Sequence, residues 1–147
     1  MSYHAARFQN NPSVLFIQDK LFVYADFDQI ERVIYNLLDN ALKFTDEGDS
    51  ITVETSIIGR KAHISVEDTG CGIEESALPH VFDRFNKGDK SRGKNKLGTG
   101  LGLAIAKQII VNHGEDISVT SHLGEGTKFS FTLPLGTEQR IGKDTGK

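Results

Sequence analysis

Three glycines stand at alternate positions in "GTGLGLAIAKQII", residues 98–110, where an apolar helical stretch begins. A glycine inside a helix costs about 1 kcal/mol relative to alanine. Such a cluster constrains the fold, because the helix must recover the loss elsewhere. Leu103, Ala104, Ile105, Ala106, Ile109 and Ile110 make this helix apolar nearly all round, so burial offsets the glycines. A helix start leaves backbone N–H groups unpaired and carries partial positive charge. Glycines there remove side chains and let a phosphate approach the main chain. The spacing is not that of a P-loop, since no Gly-Lys-Ser/Thr follows. No strand precedes it, as a Rossmann turn would require. Taken alone, the cluster fits a phosphate seat and equally a hinge with close helix packing.

The rest of the chain alternates strands and helices. Residues 13–17 and 21–24 read as two short strands with Asp19-Lys20 as the turn between them. In 28–44, Ile30, Val33, Ile34, Leu37, Leu38, Ala41 and Leu42 recur with a helical period, and Asp26 or Asp28 can cap the start. Residues 51–58 and 62–66 form a hairpin around Gly59-Arg60. A short helix starts near Glu74, and a second long helix spans 99–113 with Gly114 as its stop. Residues 117–121 and 127–133 make a last hairpin around "HLGEG", and a polar tail follows Pro134. These elements predict an α/β two-layer sandwich, with a mixed, mostly antiparallel sheet of about five strands on about three helices. The domain proper is expected over 13–135, between an N-terminal linker segment, 1–12, and the tail, 136–147.

Composition narrows the function classes. A net charge of −3 gives no pull toward nucleic acid. The single cysteine, Cys71, permits no internal disulfide and suits a reducing, cytoplasmic setting. No run of 18 apolar residues is present. The segment 87–96, "KGDKSRGKNK", holds five basic residues and one acid, and reads as a solvated linker or a mobile lid over an anion.

Two further patterns carry chemistry. Asn36, Asn40 and Lys43, at i, i+4 and i+7, share one helix face beside the apolar stripe. Two carboxamide oxygens and an ammonium suit a hydrated magnesium ion on phosphates, although a solvated polar face has the same pattern. In "VEDTGCGI", Asp68 ends a strand before Gly70 and Gly72. This is either turn chemistry or an acceptor for the exocyclic amine of adenine, with the glycines letting the base slide along the backbone.

The segments "NLLDNALKF", "DTGCGI", "FDRF", "GTGLGLAIAK" and "GEGT" occur in the order and spacing of the catalytic, ATP-binding domain of sensor histidine kinases. Over 22–134 the chain resembles that family, whose wider group includes the gyrase-type and mismatch-repair ATPases. The resemblance implies the Bergerat sandwich, with ATP between the helices under a mobile lid. It places Asn36, Asn40, Lys43 and Phe44 in the asparagine box, with Asn40 the best magnesium ligand and Asn36 a second. Asn36 stands where gyrase-type enzymes carry a water-activating glutamate. An asparagine cannot take up that proton, which favours phosphoryl transfer over hydrolysis.

By the same resemblance Asp68, Gly70, Gly72 and Ile73 form the adenine end. Phe82 and Phe85 fall in the phenylalanine box, with core packing as their alternative role. Lys87, Gly98, Thr99, Gly100, Leu101, Gly102 and Leu103 lie at the lid and triphosphate. Gly124, Gly126 and Thr127 match a third glycine box, in direct contact with the nucleotide or simply a hairpin turn, with Thr127 near the base. Three departures stand out: Asn86 and Lys87 replace an aromatic and an arginine, Glu115-Asp116 replaces a second glycine, and no phosphorylatable histidine is found. His4 reads as part of an irregular segment, so the acceptor histidine is expected on a separate dimerisation domain. The implied partners are that domain and a downstream response regulator. The chain itself is expected to be a monomer and the parent a homodimer. A gyrase-type hydrolase, an anti-sigma-factor type serine kinase and a non-catalytic module are the alternatives.

Overall fold

A computed structural model describes residues 2–7, 12–18, 21–84 and 101–136. In chain order the elements are β1 (Ser2–Arg7), β2 (Ser13–Gln18), β3 (Phe22–Val23), α1 (Phe27–Lys43), β4 (Ser50–Ile58) and β5 (Lys61–Asp68). A short 3-10 helix (Glu75–His80), α2 (Gly102–Asn112), β6 (Ile117–His122) and β7 (Gly126–Gly136) follow. The expected two-layer α/β sandwich is present. Among the described residues its sheet is wider than foreseen, with seven strands in the order β1-β2-β4-β5-β7-β3, and β6 also pairs with β7. Among the described residues every pairing is antiparallel except β2 with β4, which run parallel with α1 lying in the connection between them. A parallel pair needs such a crossover.

Alternation explains why one face is covered and the other is wet. Val53, Val66, Phe129 and Val119 lie opposite one another across β4, β5, β7 and β6. Thr55, Ile64, Phe131 and Ile117 form the next row. Residues directly opposite in adjacent strands point to the same face. Val66, Phe129, Ile64 and Phe131 are buried against Val33, Leu37 and Ala41 of α1 and Ala106, Ile109 and Ile110 of α2. The intervening rows, such as Ser65 with Ser130, are polar, as an antiparallel sheet with one solvated face requires. Phe82 packs edge-on to Phe129 with ring centroids 5.9 Å apart, so its role is core packing.

The helices are held at both ends. Asp26 accepts from the Gln29 N–H at 2.9 Å and is the N-cap of α1; Asp28 lies inside the first turn. Thr45 Oγ1 donates to the Ala41 carbonyl at the other end. The His113 ring joins the two helices. Its Nδ1 meets the Ile109 carbonyl at 2.8 Å, which can only accept, so Nδ1 carries the proton. Nε2 is then free to accept the Asp26 N–H at 3.2 Å.

Several expectations are corrected. Ser2–Arg7 form an edge strand, with His4 opposite Phe16, rather than an irregular segment. Pairing with β2 imposes this on a sequence with little alternation of its own. β2 and β3 do not pair with each other: β3 joins β7 at Leu135 and Gly136. The turn proposed at Asp19-Lys20 lies outside the described residues. β7 continues past Pro134 to Gly136, because β3 supplies a partner there. No described helix is long and apolar enough to cross a membrane.

Glu115 stands at the departure after Gly114. Its carboxylate is buried and takes hydrogen bonds from Lys61 Nζ and, at 2.7 Å, Thr132 Oγ1. Burial works against the charge, but these hydrogen bonds and the charge of Lys61 outweigh it and hold the carboxyl below its ordinary value. A depressed folded-state pKa gives stability that is present above the unfolded value and lost as pH falls through the folded one. Glu115→Gln should therefore cost about 1–2 kcal/mol at pH 7 in denaturant melts. The gap to the unchanged protein should close on acidification. A gap independent of pH would contradict this assignment.

Candidate nucleotide site

On the core side of the sheet the apolar rows end in Asp68, Thr127 and Ser121, which lie opposite one another on β5, β7 and β6. Asp68 is 4% exposed and Thr127 5%. Burial pushes the Asp68 carboxyl above its ordinary value, against the backbone N–H groups of Gly70 and Thr127 that draw it down, while Asp49 and Glu67 push it further up. The Gly70 N–H meets Asp68 Oδ1 at 2.8 Å. A buried carboxylate in an otherwise apolar layer is costly unless something donates to it.

The glycines beside Asp68 are needed for protein packing, whether or not a base also lies along them. A Cβ on Gly70 would overlap the Phe44 carbonyl, and one on Gly72 would overlap the His122 carbonyl. The Cys71 N–H donates to the Phe44 carbonyl at 3.2 Å, and the Gly124 N–H donates to the Cys71 carbonyl at 2.7 Å. The loop after β5 is thus clamped between the end of α1 and the β6–β7 turn. Gly124 belongs to that turn, and a Cβ on Gly126 would overlap the Asp68 carbonyl.

Asp68, Gly70, Gly72, Ile73 and Thr127 are therefore brought together, with Phe44 at the same place as the C-cap of α1. Ile73 is buried, and its N–H donates to Ser121 Oγ at 2.8 Å. Ser121 was missed by sequence reasoning. The signal was the hairpin: counting out from its turn pairs His122 with Gly126 and then Ser121 with Thr127.

Asn36, Asn40 and Lys43 do share a face of α1, all three half-buried. Asn40 lies four residues, about 6 Å along the axis, before Phe44. Asn36 Nδ2 donates to the Gly102 carbonyl at 3.1 Å, tying α1 to the first residue of α2. This leaves its Oδ1 as the group available to a cation. Lys43 pairs with Asp39 at 3.1 Å, and both side chains are about a third or more exposed. Such a pair is worth about 0.5 kcal/mol, weak enough for a phosphate to compete. Among the described residues no cluster of three or more His, Cys, Asp or Glu side chains can hold a metal. The neutral carboxamides fit magnesium only where the phosphates supply the charge.

Leu101 is the N-cap residue of α2, Gly102 its first residue, and Leu103 packs against the core. The helix starts at Gly102 rather than at Thr99. Phe85, Lys87, Gly98, Thr99 and Gly100, with the basic segment 87–96, lie outside the described residues.

The mixed sheet covered on one face by helices is shared with solved histidine kinase catalytic domains. The mycobacterial sensor histidine kinase MprB superposes with a TM-score of 0.73 at 29% identity, over 82% of this chain and 81% of that one. The catalytic domain of the histidine kinase ThkA gives 0.69 at 32% identity, over 81% and 76%. A family model described as histidine kinase-, DNA gyrase B-, and HSP90-like ATPase matches residues 25–137, and the chain belongs to that family. It is 44% identical over 121 residues to the sensor histidine kinase WalK of Bacillus subtilis, 81% of this chain and 20% of that protein. It is 41% identical over 124 residues to the sensor protein SrrB of Staphylococcus aureus, 84% of this chain and 21% of that protein. The chain thus spans about a fifth of the length of these relatives.

Gly72 has φ +77° and no space for a Cβ, whereas Gly124 has φ +83° with nothing near. Gly124→Ala should cost about 1–2 kcal/mol, the left-handed penalty alone. Gly72→Ala should cost about 3 kcal/mol or more, since backbone must also move. Equal losses in thermal melts would contradict the clamp.

Proposed function

We propose that this domain binds Mg-ATP and transfers the γ-phosphoryl group to a histidine on a separate dimerisation domain, in a cytoplasmic setting, with a response regulator acting downstream. The observation that carries the reading is the buried carboxylate of Asp68 at the end of the apolar face, beside a helix whose polar face presents Asn36, Asn40 and Lys43. Relatives that are sensor histidine kinases support it, as does a full-length ShkA structure in complex with AMPPNP. That structure aligns with a TM-score of 0.71 at 29% identity, over 84% of this chain and 26% of that one.

In this reading Asp68 accepts a hydrogen bond from the exocyclic amine of adenine. A guanine would present a carbonyl there and be repelled. The first-turn N–H groups of α2 lack intrahelical partners and are suited to phosphate oxygens. Lys43 exchanges Asp39 for phosphate and offsets charge. Asn40 and the Oδ1 of Asn36 would hold magnesium, which when bound neutralises phosphate oxygens and fixes their geometry. Asn36 has no basic atom and is committed to Gly102 through its nitrogen, so it does not activate water. Positioning and charge neutralisation do most of the work in phosphoryl transfer.

The test is incubation with γ-labelled ATP and the histidine-bearing dimerisation domain of the parent protein. Acid-labile label on that domain is expected. Acid-stable label would indicate a serine kinase, and label released only as phosphate would indicate a hydrolase. Asp68→Ala should weaken ATP binding by tenfold or more while changing GTP binding little; equal, small losses for both would remove the adenine role.

A further inference from the structure

We propose that Ser121 is a positioning residue for base selectivity, holding the hydroxyl proton of Thr127 away from the nucleotide; this rests on the reading above that adenine stands at Asp68. The argument is a count of protons. Ser121 Oγ has three neighbours at 2.8 Å: the Ile73 N–H, the Gly126 carbonyl and Thr127 Oγ1. A hydroxyl has one proton and two lone pairs. The Ile73 N–H can only donate, so it takes one lone pair. The Gly126 carbonyl can only accept, so it takes the proton. Thr127 must then give its own proton to the second lone pair of Ser121.

The consequence reaches across the sheet. Thr127 lies opposite Ser121 on one side and Asp68 on the other. Its proton is turned toward β6, so toward the base only lone pairs remain. Asp68, ionised, is also an acceptor alone. The row therefore presents acceptors without a donor to a base edge. It favours a group that donates, such as the adenine amine or a water bound beside it, and disfavours a carbonyl at the same position. Without Ser121, Thr127 can rotate its hydroxyl and donate to that carbonyl. Selectivity then falls although Ser121 touches no ligand.

The test compares Kd for Mg-ATP and Mg-inosine triphosphate, which differ in having an amine or a carbonyl at C6. The unchanged protein should prefer ATP. Ser121→Ala should reduce that preference about tenfold, the scale of one hydrogen bond changing sign. Ser121→Thr, which keeps the hydroxyl, should retain it. In a Thr127→Val background, Ser121→Ala should alter the preference no further. Ser121→Cys, close in size and a poor acceptor, gives the same readout if the alanine variant melts too low. Equal weakening for both nucleotides in the alanine and cysteine variants would show a structural role only and overturn the inference. So would a loss of preference that persists in the Thr127→Val background. An unchanged protein that does not distinguish the two nucleotides would overturn the Asp68 reading itself.

Discussion

The main chain that follows β5 runs in direct contact with two others, and this contact fixes the site. Gly70 touches the Phe44 carbonyl at the end of α1, and Gly72 touches His122 in the β6–β7 hairpin. Backbones approach this closely only where side chains are absent. The hydrogen bonds from Cys71 to Phe44 and from Gly124 to Cys71 then lock the three segments together. Asp68, Thr127 and the polar face of α1 converge because the loop between them has no volume to spare. The same contact explains how a carboxylate stays buried at the edge of an apolar layer: the loop that crosses it supplies the Gly70 N–H.

The helices depend on a complementary set of ties. Asn36 joins the middle of α1 to the start of α2, and His113 joins the end of α2 to the start of α1. Helix α2 is thus pinned to α1 near both of its ends by single side chains, with Leu37, Ala41, Ala106 and Ile110 in the core beneath them. An asparagine in mid-helix is a weak helix former, and its hydrogen bond to Gly102 supplies one structural reason for its presence. That bond leaves a single carboxamide oxygen for other work, which sets Asn36 apart from Asn40. On the far side, Glu115 fills a place where the family often has glycine, and Lys61 and Thr132 compensate the buried charge.

Much of this was legible before any coordinates. The helical stripe from Ile30 to Ala41, the hairpin at Gly59 and the hairpin closing at Gly124 follow from periodicity and turn chemistry. Five short motifs in order identified the family. Other features depended on contacts distant in sequence. Nothing local in residues 2–7 announces a strand, because β2 imposes it. The partners of β2 and β3 could not be read from the short gap between them, since a parallel pair across α1 competes with a hairpin. The glycines of "DTGCG" make room for Phe44 and His122, neither of which is near in sequence, so this packing need is not legible locally. Ser121 looked like one polar residue of an alternating strand, and only the register beside Thr127 gives it a role.

The central claim is that a single row of acceptors, Asp68 with Thr127, receives the purine while the α1 face and the α2 start receive the phosphates. Backbone amide chemical shifts followed during titration with Mg-ATP test it most directly. The account predicts saturating shifts at Gly70, Ile73 and Thr127, together with Asn40, Lys43 and Gly102. Shifts confined to the solvated face of the sheet, around His63, Ser65 and Ser130, or no saturable shift at all, would contradict it.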